Sequence, residues 1–202
     1  MRKANLRGLF EKPKTKRVFV DTSCFLTLLD LQSPNVRHRT TAEAYEKFFS
    51  EWLLDWNCLV WINSLVIVEI INEIDRRVFV NNGPTRAGRV QGIRNEMAEH
   101  PGLYAKAWKA VDNQRKEISR PILDLITKSE VILCHNLPGD TALYSMTGRV
   151  AQDVQKLSHK GVSPADVFHC HFMNRHGLSV AVSQDKHFRH LPGITVHAFM
   201  DK

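Results

Sequence analysis

Short, unbroken apolar runs alternate along this chain with longer stretches of helical period. "RVFV" (17–20), "CLVWI" (58–62), "VILC" (131–134) and "SVAVS" (179–183) carry their apolar residues consecutively, and "ITVHAF" (194–199) reads as a final strand. That is the pattern of strands buried on both faces of a parallel sheet. After the first run a short helix is expected to about Asp30, then a loop at "SPNVRHR" (33–39). "TAEAYEKFFSEWLLDW" (41–56) follows as an amphipathic helix with Ala44, Phe48, Trp52 and Leu53 near one face. Asn63 and Ser64 cap the helix "LVIVEIINEIDRRVF" (65–79), with Val66, Ile70, Ile74 and Phe79 as its stripe. A helix over 143–160 is ended by Gly161 at its C′ position. The plainest helix signal lies in "GVSPADVFHCHFMNRHGL" (161–178). Ser163 is its N-cap, Pro164 occupies the first turn and Gly177 closes it.

Strands alternating with helices predict an α/β fold with a mainly parallel central sheet flanked by helices. The pattern changes between about 81 and 129. "NNGP" breaks the chain there, and the stretches after it are basic and helical in tendency, so a helical insertion is expected. Residues 1–16 read as a basic arm outside the domain that begins at 17. Pro13 among Lys12, Lys14 and Lys16 disfavours a helix in it.

Composition adds four points. The 202 residues are 43% hydrophobic and 24% charged, which suits one globular domain. No apolar run is long enough to span a bilayer, and the basic N-terminus lacks the apolar stretch of a signal peptide, so a cytoplasmic protein without membrane attachment is expected. Cys24, Cys58, Cys134 and Cys170 form no C-x-x-C pair, which argues against zinc and against a disulfide framework. The formal net charge of +7 points to an anionic partner, nucleic acid being the commonest.

Four carboxylates stand where such a fold keeps its chemistry. Asp21 directly follows a strand, Asp185 lies just beyond one, and Glu69 and Asp166 lie in the first turns of helices. In parallel α/β sheets, sites form beyond the carboxyl ends of strands, at the topological switch point. Capping alone explains one such acid. Four at one mouth repel one another and call for a cation. Mg²⁺ or Mn²⁺ prefers such oxygen ligands, polarises a phosphodiester and acidifies an attacking water.

The stretches "VFVDTSCFL", "INSLVIVEIINEI" and "LSHKGVSPADVFHCHFMNRHGLSVAVSQDKHF" resemble the PIN domain, most closely the VapC-type toxin ribonucleases. The resemblance extends over about two-thirds of the chain. It implies that Asp21, Glu69, Asp166 and Asp185 are the catalytic and metal-binding acids. Thr22, Ser23 and Ser183 would brace them, Ser183 and Asp185 belonging to a motif that ends at Phe188. The implied activity is metal-dependent endoribonuclease cleavage of RNA, as the toxin of a toxin–antitoxin pair blocked by a small antitoxin protein. The insertion has no counterpart in that family. Its Arg86, Arg89 and Arg94 either contact RNA phosphates or belong to a surface that docks a protein partner or a second copy of the chain as a homodimer. Two other readings are a non-catalytic RNA-binding module and a structure-specific DNA nuclease.

Some residues invite other readings. His169, Cys170, His171 and His176 lack the helical i, i+3 or i+4 spacing of a histidine ligand pair, and His169 is expected to pack against the site one turn after Asp166. Glu73 is either a fifth acid or a partner for Arg76 or Arg77. Asp30 and Asp153 read as surface residues.

Overall fold

A computed structural model describes residues 15–31, 35–50, 57–82, 90–102, 105, 116, 120, 131–134 and 140–197. In chain order the elements are β1 (Arg17–Val20), α1 (Thr22–Leu28), α2 (Val36–Ser50), β2 (Leu59–Asn63), α3 (Ser64–Asn82), α4 (Val90–Glu99), β3 (Val131–Cys134), α5 (Asp140–Leu157), α6 (Pro164–Arg175), β4 (Val180–Val182) and β5 (Thr195–His197). Short 3-10 turns cover Ser158–Lys160 and Lys186–His190. The expected α/β class is what the structure shows, with the sheet parallel throughout.

The five strands lie in the order β3-β2-β1-β4-β5, and every pair is parallel. β2 and β3 are added on one side of β1, then β4 and β5 on the other. The direction of strand addition therefore reverses between β1 and β4, and a crevice opens beyond their carboxyl ends.

Burial follows the apolar runs. Val18, Phe19 and Val20 of β1 and all three residues of β4 are buried. Beneath the sheet's mouth the Phe19 ring meets those of His169, Phe172 and Phe188 at centroid distances of 5.1, 5.9 and 6.5 Å. α2 packs on α1 and α5 on α6. Phe25 stacks on Phe49 at 5.6 Å, and both are buried. Truncating either to alanine would cost about 3–5 kcal/mol.

Three details differ from the sequence reading. α2 starts at Val36, inside the expected loop, because Asn35 O accepts from Arg39 N–H and opens the helix at once. Its buried face is Ala42, Tyr45, Phe48 and Phe49; of the expected stripe Phe48 is buried, Ala44 is only half-buried, and Trp52 and Leu53 lie outside the described residues. α3 runs on to Asn82, past the expected start of the insertion, of which α4 is the longest described part. Arg94 is in α4, while Arg86, Arg89 and residues 1–14 of the basic arm lie outside the described residues. Cys24, Cys58 and Cys170 are buried free thiols. Among the described residues, no helix is long and apolar enough to cross a membrane.

Candidate metal centre

β1 ends at Val20, and the backbone of Asp21 remains extended (φ −75°, ψ 154°). Its N–H donates to Val182 O at 2.9 Å, which carries the β1–β4 ladder to the sheet's edge. The side chain then caps α1 by accepting from Ser23 N–H. Three donors converge on one carboxylate oxygen, Oδ2: Ser23 N–H at 3.3 Å, Ser23 Oγ at 2.5 Å and Ser183 Oγ at 2.8 Å. Among the described residues none reaches Oδ1. Ser183 is fully buried and accepts from Asp185 N–H at 3.0 Å, and Ser23 Oγ accepts from Gln184 N–H at 3.0 Å. Two strand ends are thus tied together through hydroxyls, which hold Asp21 without neutralising it.

Glu69 comes from α3 and faces α1, where Thr22 Oγ1 donates to its Oε2. His169, 1% exposed on α6, holds its Nε2 3.7 Å from the same oxygen. Burial alone would raise the Glu69 pKa; the His169 ring and the Thr22 hydroxyl outweigh it and hold the carboxyl below its ordinary value. Asp166 shows the opposite balance. It forms a capping box with Ser163, accepting from Ser163 N–H at 2.7 Å while Ser163 Oγ accepts from Asp166 N–H at 3.2 Å. Burial, reinforced by the charges of Asp185 and Asp21, still pushes its pKa up. Asp185 caps the Lys186–His190 turn, its Oδ1 accepting from His187 N–H at 2.8 Å.

All four acids line one open cleft of about 390 Å³, together with Thr22, Ser23, Ser163 and His169. Within it, ligand atoms of Asp21, Glu69 and His169 lie within 4.8 Å of one another. Asp166 and Asp185 stand in the same cleft but outside that tight group. The donor chemistry fits a hard divalent cation. Among the described residues Asp21 and Glu69 each keep one oxygen without a donor, while hydroxyls of Ser23, Ser183 and Thr22 engage the other.

No protein-family model matches the chain, and no curated protein matches it.

His171, His176, Glu73, Asp30 and Asp153 have partners of their own. His171 pairs with Asp153 at 2.9 Å, and His176 packs on Phe172 and Trp61. Glu73 also borders the cleft, but its carboxylate takes two hydrogen bonds from Arg76 (2.6 and 2.7 Å) and one from Arg77 (2.9 Å). Arg77 bridges on to Asp30 at 2.7 Å, so Asp30 is half-buried rather than a free surface acid. The sequence reading missed the part played by Asn63. It caps α3 as expected, Oδ1 accepting from Val66 N–H at 3.2 Å, but its amide nitrogen also meets His169 Nδ1 at 3.0 Å. That partner lies 106 residues further along the chain, and no local signal announces it.

Proposed function

We propose that this protein is a PIN-like, metal-dependent endoribonuclease, with Asp21, Glu69, Asp166 and Asp185 as the acids of its site. The observation that carries the reading is that all four border one cleft at the reversal point between β1 and β4. Asp21 and Glu69 would hold Mg²⁺ or Mn²⁺, which would supply Lewis acidity toward a phosphodiester and acidify a water nucleophile. Thr22, Ser23 and Ser183 fix the two carboxylates in place before substrate arrives. Asp166 keeps Oδ1 clear of donors among the described residues and would accept a proton from the attacking water as the P–O bond to the departing ribose oxygen breaks, that oxygen taking its proton from solvent.

Exposed cations in the chain segments before Ser163 and after Asp185 support a polyanionic substrate. Lys160, Lys186 and Arg189 are exposed, and His187 Nδ1 bonds Lys160 O at 3.0 Å, joining the segments on either side of α6. None of the three makes an ion pair among the described residues. RNA is the substrate and a small antitoxin the partner on this reading.

The experiment that tests it presents single-stranded RNA, duplex DNA and a branched DNA to the purified chain with Mg²⁺ or Mn²⁺. Internal cleavage confined to RNA is expected. Cleavage of branched DNA alone would replace the reading by that of a structure-specific nuclease. RNA binding with no cleavage would replace it by that of a binding module.

A further inference from the structure

His169 is the residue whose chemistry is easiest to misassign. Its Nε2 lies in the same tight group as the Asp21 and Glu69 oxygens, the position of a third metal ligand. Its hydrogen bonds argue otherwise. Asn63, 3% exposed at the end of β2, has its amide orientation fixed by the α3 cap. The Val66 N–H can bond only to an oxygen, so Oδ1 faces Val66 and Nδ2 faces His169. An amide nitrogen donates and does not accept. His169 Nδ1 must therefore carry the lone pair, and the proton of the neutral ring sits on Nε2. The ring has little freedom to turn over, being wedged between Phe19 at 5.1 Å and Phe188 at 6.2 Å.

We infer that His169 is a positioning residue, held by Asn63 as the Nε2–H tautomer, which aims the Glu69 carboxylate instead of ligating the ion. At 3.7 Å the Nε2–Oε2 approach is longer than a hydrogen bond and acts as a directed electrostatic contact. It works with the Thr22 hydroxyl on the same oxygen, so Oε2 is engaged from two sides and Oε1 is left for the cation. The centre on this account has oxygen ligands only. The role of Glu69 as a ligand rests on the proposed function; the tautomer does not.

Two measurements separate these layers. Long-range ¹H–¹⁵N correlation of the imidazoles in metal-free protein reads the tautomer directly. A pyridine-like Nδ1 and a pyrrole-like Nε2 are expected for His169, and the reverse pattern overturns the inference. Asn63→Asp replaces the donor by an acceptor and should turn the pattern over; a ring unchanged by it also overturns the role of Asn63. Mn²⁺ titration with pulsed electron paramagnetic resonance then tests the ligand set. No ¹⁴N coupling is expected in the parent protein, and a directly coordinated nitrogen there contradicts the inference. His169→Leu should weaken Mn²⁺ binding about 10–100-fold, and His169→Gln, which keeps an N–H, should restore most of it. Equal affinity in parent and both folded variants overturns the aiming role. If the parent takes up no Mn²⁺, the metal reading fails and with it the aiming of Glu69 at an ion, while the ring pattern still decides the tautomer.

Discussion

Glu69 and Glu73 lie one turn apart on α3 and border the same cleft, yet they are treated in opposite ways. Among the described residues Glu69 meets the Thr22 hydroxyl and the His169 imidazole, and no lysine or arginine. Glu73 is clamped by Arg76 and Arg77, and the chain of charges continues to Asp30. Both carboxyls have pKa values below the ordinary range, and burial opposes the lowering in both. The causes that win differ. At Glu73 they are fixed cations, which cancel the charge. At Glu69 they are the His169 ring and the Thr22 hydroxyl, which orient the charge and leave it available. A low carboxylate pKa therefore does not by itself mark a metal ligand; the charge of the partners does.

The largest expected effect separates the two glutamates. Glu69→Gln should reduce Mn²⁺ affinity and RNA cleavage by more than the roughly 100-fold that loss of a supporting contact can cost. Glu73→Gln should change both by only a few-fold. Calorimetric titration beside a cleavage assay checks this, and equal losses would erase the distinction. In stability the ranking reverses. Glu73→Ala leaves two guanidinium groups without their shared partner and should lower unfolding free energy by about 1 kcal/mol in a denaturant titration. Arg77→Ala combined with it should cost less than the two single changes added together.

Acid stability gives a second contrast, between Glu69 and Asp166. A lowered pKa contributes stability above the ordinary value of 4.5 that is lost as pH falls through the folded-state value. A raised pKa does the reverse: the penalty is absent below 3.8 and grows as pH rises through the folded-state value. In EDTA, Asp166→Asn should therefore raise the thermal midpoint at neutral pH and leave it unchanged near pH 3. Glu69→Gln should lower it at neutral pH, with the difference closing in acid. Melting curves across that range check both signs.

The smallest effect concerns cations that are engaged against cations that are not. Replacing Lys160, Lys186 and Arg189 by Gln should shrink the slope of log affinity for single-stranded RNA against log salt by about 2, at about 0.7 per phosphate contact. Arg77→Gln should leave that slope unchanged, since Arg77 is held by Glu73 and Asp30.

The strands and α6 were legible because their signals are local. The apolar runs over 17–20, 58–62, 131–134 and 179–183 overlap β1 to β4. Ser163 and Pro164 open α6, and Gly177 follows it with φ +63°. The start of α2 was not legible, because its first turn faces solvent: Val36 is 57% exposed and His38 is exposed, so no apolar period shows. The four acids could be placed at the sheet's mouth by counting positions from strand ends. Which of them is braced, capped or neutralised could not. Asp21 depends on Ser183 from the far strand, Glu69 on His169, and Glu73 on arginines whose direction is set only when α3 packs against the segment carrying Asp30.

The central claim is that this cleft is a divalent-metal site that cuts RNA. Its most direct test is cleavage of single-stranded RNA by protein stripped with EDTA, before and after Mn²⁺ or Mg²⁺ is returned, with Asp21→Asn alongside. No cleavage by the stripped protein, recovery on adding either ion, and little recovery in the folded Asp21→Asn protein are expected. Undiminished cleavage in EDTA, or full recovery in Asp21→Asn, would contradict the claim.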